Sequence, residues 1–373
     1  MFRKYKFKNL SIILIVLVLA LTILGILIIG SANIDNQNKQ ILGMVLGILV
    51  MVLFCIIDYE IWIKLSWWLY GITLVLLVLV LFLGKSKGGA TRWFDFGFMQ
   101  FQPSEIGKIL LVIFFAKLLG ELEADINKPK YLAIVGVLAA IPLFLIKKEP
   151  DLSTTVVTLL IICAMMFVAG LTYKIILPLV GIAIPTISII LWNISHGASS
   201  VLAGYQNKRI LSWLRPDDYP QDSYQQQNSI MAIGSGRIWG KGLYNDSFES
   251  VKNGNYISEP HTDFIFAVAG EELGFVGTFI IIILIFAIVI EIIHIGNSAA
   301  DLYGKLICIG IASLIGFQSF VNICVVTGVM PNTGIPLPFV SYGLTSLVTS
   351  YVGIGLVLNV GLQTKLKGGR SFL

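Results

Sequence analysis

The sequence predicts an all-α fold: a polytopic helical membrane protein with about ten transmembrane helices and a large extracytoplasmic loop between the seventh and eighth. Three observations carry that expectation. Of 373 residues, 56% are hydrophobic and 13% charged, with mean hydropathy +0.87, whereas a soluble domain carries about 25% charged residues. Apolar runs of roughly 18 to 25 residues recur along the chain, the length that crosses a bilayer as a helix. One long hydrophilic segment, about 195–262, interrupts them.

The first eight residues hold Arg3, Lys4, Lys6 and Lys8, and the apolar run 10–31 follows. That run is too long for the apolar part of a cleaved signal peptide and reads as the first span. Further spans are expected over about 41–57, 65–84, 103–120, 131–146, 152–170, 175–194, 264–293, 303–328 and 341–362. The chain also ends basic, through Lys365, Lys367 and Arg370. An even number of spans puts both termini on one side, and the positive-inside rule makes that side the cytoplasm. The loop 85–102 is then outside although it holds Lys85, Lys87 and Arg92, and an anionic ligand on the outer face would account for these cations. No repeat or low-complexity tract divides the chain, so a single membrane domain over 1–373 is expected.

The net charge of +5 sits mostly in termini and loops, which points to membrane lipids and phosphate groups as partners and not to nucleic acid. Cys55, Cys163, Cys308 and Cys324 lie in apolar runs without metal or disulfide spacing, so free thiols are expected. The three histidines, His196, His261 and His294, form no metal pattern.

Several stretches carry polar groups where apolar helices begin. Asp263 opens the eighth span, beside His261 and the basic loop; it is either a helix N-cap or a reactive carboxylate at the mouth of the bundle. Glu271 and Glu272 follow inside the apolar stretch, where ionisable groups are functional by default, unless a helix break at Gly270 lets them pair internally. Glu105 and Lys108 stand three apart at the start of the fourth span and can pair on one face, either at the interface or around a polar cavity. Arg92 adjoins Trp93 and Phe94, an aromatic interfacial anchor, and its guanidinium can also grip a phosphate. Asp151 after Pro150 reads as a cap for the sixth span. Ile233-Gly234-Ser235-Gly236-Arg237-Ile238-Trp239-Gly240-Lys241-Gly242 resembles a phosphate-cradling turn without matching a P-loop. Pro331, Pro336 and Pro338 make the stretch before the last span rigid and non-helical. Ala312 and Gly316 offer a small-residue packing surface.

Taken together, these stretches resemble the SEDS family (shape, elongation, division and sporulation) of bacterial cell-wall polymerases. The matching motifs are Gly89-Ala90-Thr91-Arg92-Trp93, Phe101-Gln102-Pro103-Ser104-Glu105, Glu149-Pro150-Asp151-Leu152, Ala232-Ile233-Gly234-Ser235-Gly236, Gly240-Lys241-Gly242, His261-Thr262-Asp263-Phe264-Ile265-Phe266-Ala267, Gly270-Glu271-Glu272-Leu273-Gly274, and Thr333-Gly334-Ile335-Pro336-Leu337-Pro338-Phe339 with Ser341-Tyr342-Gly343. Trp93-Phe94-Asp95-Phe96-Gly97 and the region 322–342 are most similar to the elongation branch, ahead of division and spore cortex. Ser153, Asn228 and Leu344-Thr345 depart from the family pattern.

The resemblance implies a peptidoglycan glycosyltransferase of the bacterial cytoplasmic membrane, using lipid II and a glycan strand on undecaprenyl diphosphate, with a class B penicillin-binding protein as transpeptidase partner. It places the family's essential aspartate at Asp263 and an ion pair at Glu105 and Lys108. A sugar hydroxyl is a poor nucleophile at neutral pH and gains from a positioned base, which Asp263 supplies. A diphosphate leaves without being protonated, so one carboxylate suffices. Fixed cations, or a bound divalent ion such as Mg or Mn, can neutralise the departing charge. Arg92, Arg209, Arg215, Arg237, Lys241 and His261 are the candidate substrate-binding groups. A lipid II flippase and a scaffold recruiting the transpeptidase are the rival classes.

Overall fold

The computed structural model describes residues 5–87, 90–95, 97, 100–195, 204–244, 257 and 259–363. Arg3, Lys4, Gly89, Phe96, His196, Lys365, Lys367 and Arg370 lie outside the described residues.

In chain order the helices are α1 (Ile12–Ala32), α2 (Ile34–Ile56), the short α3 (Tyr59–Lys64) and α4 (Ser66–Leu83), then α5 (Pro103–Glu121), α6 (Pro129–Lys148), α7 (Leu152–Val168) and α8 (Tyr173–Ser195). They continue as α9 (Gly204–Leu214), α10 (Pro220–Ser235), α11 (Ile265–Asn297), α12 (Leu302–Val326) and α13 (Leu344–Leu362). Among the described residues eight helices, α1, α2, α4, α6, α8, α11, α12 and α13, are long and apolar enough to cross a membrane. The other two expected spans are also helices: α7 is short at 17 residues, and α5 carries Glu105, Lys108, Lys117 and Glu121.

Helix starts follow local chemistry. Ser11 Oγ accepts from Leu14 N–H at 3.2 Å and starts α1. Asn33 Oδ1 accepts from Asp35 and Asn36, so α2 begins about two turns before its apolar run. Asp151 Oδ1 accepts from Thr154 N–H at 3.0 Å, the expected cap of α7.

α12 and α13 are buried along most of their length, with α13 packed on α2 and α12 on α11, α7 and α5. α1, α2, α4, α6 and α8 present apolar side chains outward, Phe82 and Phe144 among them, the faces a lipid phase covers. α8 makes its main contact with α9.

Between α4 and α5 the chain forms a small antiparallel sheet, which an all-α expectation misses: β1 (Lys85–Lys87), β2 (Ala90–Asp95) and β3 (Gln100–Phe101), in the order β1-β2-β3. Trp93 pairs with Lys85 and Phe94 with Phe101. These strands are too short for alternation to register in the sequence. The long hydrophilic segment is also partly folded, as α9 and α10, and α10 packs on α11.

At 33 residues α11 is longer than a bilayer needs, and it breaks at Gly274 (φ 66°, ψ −162°), not at Gly270. The turn after α10 docks into this break. Phe275 and Val276 N–H donate to the carbonyls of Arg237 and Ile238 at 2.8 and 3.1 Å, and Lys241 and Gly242 N–H donate to Glu271 and Glu272 at 2.9 Å each. A Cβ on Gly274 would stand 2.3 Å from Gly240 N, so only glycine fits this crossing.

Candidate active site

The site forms where the 331–343 loop, the β-sheet and the starts of α2, α11 and α13 meet. α11 begins at Ile265 behind Phe264, and no side chain caps it. Asp263 therefore precedes the helix without serving as its cap. Its backbone carbonyl accepts from Asn322 Nδ2 at 2.8 Å, and the same amide donates to Ile335 O at 2.7 Å. Ser341 Oγ donates to Thr262 O at 2.8 Å while accepting from Leu337 N–H at 2.7 Å, and Tyr342 N–H donates to His261 O at 2.9 Å. The proline-rich loop thus holds 261–263 in place. A Cβ on Gly334 (φ 74°) would meet Asp263 Oδ2 at 3.3 Å, so glycine lets the carboxylate lie against that loop.

Asp263 opens on a polar cavity of about 600 Å³, which Arg92, Arg209, His261, Glu105, Glu259, Asp95 and Lys39 also line. Burial pushes its carboxyl up to about 6 from an ordinary 3.8. The Arg209 and Arg92 guanidiniums oppose that rise, and the Asp151 and Glu259 carboxylates add to it. A carboxyl titrating there is ionised at neutral pH and is a stronger base than a solvated aspartate.

Arg92 is buried, and its fork is fixed by the turn before α7. Nε donates to Glu149 O at 3.1 Å, another guanidinium N–H donates to Pro150 O, and Asp151 Oδ2 lies 3.6 Å away. Arg209 donates to Asn332 O at 3.1 Å. Glu149 itself is buried, with neither carboxylate oxygen hydrogen-bonded among the described residues. Burial first, then the Asp151 charge, pushes it up to about 9 against the pull of Arg92, so it is neutral at pH 7.

Glu105 and Lys108 form a buried pair at 2.7 Å. Lys108 Nζ also donates to Gln318 Oε1 at 2.6 Å, and Gln318 Nε2 donates to Pro336 O at 3.0 Å. Because Glu105 lines the cavity, the pair couples a cavity wall to the loop beneath Asp263.

Three expected substrate-binding groups lie elsewhere. Arg215 is exposed just past α9, Arg237 is exposed in the docked turn, and Lys241 pairs with Glu271 at 2.7 Å; none lines the cavity. The glycine-rich turn uses its backbone N–H groups to pair with the α11 break, which corrects its reading as a phosphate cradle. Glu272 accepts from Ser31 Oγ at 2.6 Å, so both carboxylates of that stretch serve this seam. Ala312 and Gly316 line a separate apolar groove of about 860 Å³ between α7, α11 and α12.

Gln318 and Gln40 were missed in the sequence, and Asn322 and Ser341 entered only as parts of matching motifs, with no role at the site. A lone amide in an apolar helix is a legible signal of a polar cavity, and Gln318 and Asn322, four apart on one face of α12, carry it. Among the described residues no three His, Cys, Asp or Glu side chains converge to hold a metal. A divalent ion shared with a substrate diphosphate needs only one or two protein carboxylates, and the cavity also carries fixed cations of its own in Arg92 and Arg209.

A bundle of apolar helices closed at one end by a polar cavity, with a desolvated carboxylate facing two anchored guanidiniums, defines a multi-pass membrane protein with an enzyme's site. Residues 8–366 match the family model described as cell cycle protein, FtsW/RodA/SpoVE. Stage V sporulation protein E of Bacillus subtilis is 34% identical, covering 95% of this chain and 98% of that protein. The peptidoglycan glycosyltransferase MrdB of Escherichia coli is 32% identical, covering 95% and 94%. A solved chain from a peptidoglycan synthase complex that coordinates polymerization and crosslinking superposes with TM-score 0.79 at 30% identity, covering 96% and 97%. The chain belongs to the FtsW/RodA/SpoVE family and is an enzyme of these SEDS peptidoglycan glycosyltransferases.

Proposed function

We propose that this chain polymerises lipid II into glycan strands at the outer face of the cytoplasmic membrane, with Asp263 as general base and undecaprenyl diphosphate as leaving group. The acceptor hydroxyl attacks the anomeric carbon of the strand held on its diphosphate carrier. The new C–O glycosidic bond forms with inversion as the bond to the diphosphate oxygen breaks. The hydroxyl proton passes to Asp263, and the electron pair of the broken bond leaves with the diphosphate. Arg92 and Arg209 stand against that developing charge, fixed in advance by backbone carbonyls, so little reorganisation accompanies the step.

The observation that carries this reading is the shared cavity: one carboxylate pushed up to about 6 and two anchored guanidiniums. It lies at the loop end of the bundle, where lipid-anchored headgroups meet. A flippase would need its polar groups at the midplane. Ten spans, with both termini cytoplasmic, put that end outside by the positive-inside rule. The motif resemblance favours the elongation role of RodA over division (FtsW) or spore cortex (SpoVE). The match to a synthase complex supports a class B penicillin-binding protein as partner.

Glycan formation from purified lipid II in detergent tests the reading, comparing wild type with Asp263→Ala, each with and without chelator. Strands from wild type alone, with no membrane to cross, are expected. Strands from Asp263→Ala at the wild-type rate would remove Asp263 from the mechanism. Restoring rod shape in cells depleted of their elongation polymerase separates the elongation role from the other two.

A further inference from the structure

The polymerase reading requires two diphosphates at one site, one leaving and one that stays on the acceptor. Arg92 and Arg209 account for the first. The cavity's other wall, made by α2 and α13, has cationic character of its own that the mechanism leaves unused.

α13 starts at Leu344 behind Gly343, a residue with no side chain to cap it. The Gly343 N–H is taken by Gln40 Oε1 at 3.3 Å, and the first helical bond runs from Leu347 N–H to Gly343 O at 2.9 Å. Among the described residues the N–H groups of Leu344, Thr345 and Ser346 find no acceptor. They are the positive end of a 19-residue helix, and Thr345 and Ser346 line the cavity.

Two further observations point to a ligand there. Ser346 is only 9% exposed and lines the cavity, and its hydroxyl makes no hydrogen bond among the described residues. Lys39 also lines the cavity, and no described carboxylate lies within ion-pair distance of it. Its backbone is anchored by its neighbour: Gln40 is fully buried and donates to Ser341 O at 3.1 Å while holding Gly343. The Lys39 backbone and the helix terminus therefore belong to one wall. The Thr345 hydroxyl is already committed to Gln100 O at 2.7 Å.

We propose that Lys39, the Ser346 hydroxyl and the free N–H groups of the first turn of α13 form a second anion subsite, which takes the diphosphate of the acceptor lipid. This rests on the polymerase reading above. Asp263 lies between the two walls: its segment is tied to the α13 side through Tyr342, and its carboxylate faces Gly334 on the side of Asn332 and Arg209. Separate cation sets let two anionic headgroups enter one cavity, each neutralised locally, with the base between them.

The test uses full-length protein in detergent, with lipid II as substrate. In Lys39→Ala the KM for lipid II is expected to rise about tenfold or more while kcat stays within about threefold; Ser346→Ala raises KM a few fold, and Lys39→Arg restores it. In an Asp263→Asn background, which binds without turnover, Lys39→Ala weakens lipid II binding by the same factor. There, inorganic diphosphate displaces lipid II and phosphatidylglycerol does not. An unchanged KM in Lys39→Ala overturns the subsite, as does displacement by phosphatidylglycerol equal to that by diphosphate, which would make the wall a general anionic-lipid patch. If wild type polymerises lipid II and Lys39→Ala matches it, the second subsite alone falls. If wild type makes no glycan from lipid II, the functional reading falls and the subsite with it.

Discussion

Replacing Asp263 with Asn should abolish chemistry and raise stability in the same molecule. Burial pushes the carboxyl from 3.8 to about 6, so the folded protein binds this proton more tightly than the unfolded chain does. Folding is then least penalised below about pH 4, and stability is lost as pH rises through about 6. At 1.36 kcal/mol per pH unit the rise corresponds to about 3 kcal/mol at most. The side chain is partly open to cavity water, which reduces the expected cost to about 1–2 kcal/mol. Asn keeps the shape and removes the ionisation. Thermal unfolding in detergent should therefore show Asp263→Asn above wild type at pH 7 to 8, with the gap closing below about pH 4. Glycan formation from lipid II should fall by about 10²–10⁴-fold. The wild-type rate should follow the ionised fraction, about nine in ten at pH 7 and about one in ten at pH 5. A variant within tenfold of wild-type activity, or an acid limb centred near pH 4, would refute the assignment of Asp263 as a desolvated base.

Other expectations follow from the same geometry. Arg209→Gln removes the strongest cationic pull on Asp263, so the acid limb of the pH–rate profile should move above about 6. Lys108→Met strands the Glu105 carboxylate and frees Gln318, and should cost about 3–5 kcal/mol in unfolding measurements; the double change Glu105→Gln with Lys108→Met should recover part of that. Gly274→Ala places a Cβ 2.3 Å from Gly240 N at a positive φ; a loss above about 1 kcal/mol, with faster proteolysis between 237 and 242, is expected.

Much of the fold was legible because its signals are local. Apolar run length located a helix at each expected run, eight of them long and apolar enough to cross a membrane among the described residues, and a single side chain, Asp151, marked the start of α7. The start of α2 was misjudged because Asn33 caps a polar stretch that hydropathy treats as loop. The sheet at 85–101 escaped notice because a six-residue strand between two shorter ones gives almost no periodicity. At the site, Asp263, Arg92 and the Glu105–Lys108 pair stood out as charges beside apolar helices. Arg237 and Lys241 stood out equally and proved to brace the α11 break, since composition does not distinguish a glycine turn that holds phosphate from one that pairs with another backbone.

The sequence by itself determined that the chain is a bundle of membrane helices and that its ionisable groups gather where those helices begin, because burying a charge in lipid is too costly to leave to chance. Only the tertiary structure decided which of those groups share one cavity. Lys39, Arg92, Arg209, Asp263 and Ser346 come from widely separated segments, and their meeting depends on α13 packing along α2 and on the 331–343 loop folding back to hold 261–263. The burial that pushes Asp263 up to about 6 is likewise a property of the assembled walls and not of any single stretch of chain.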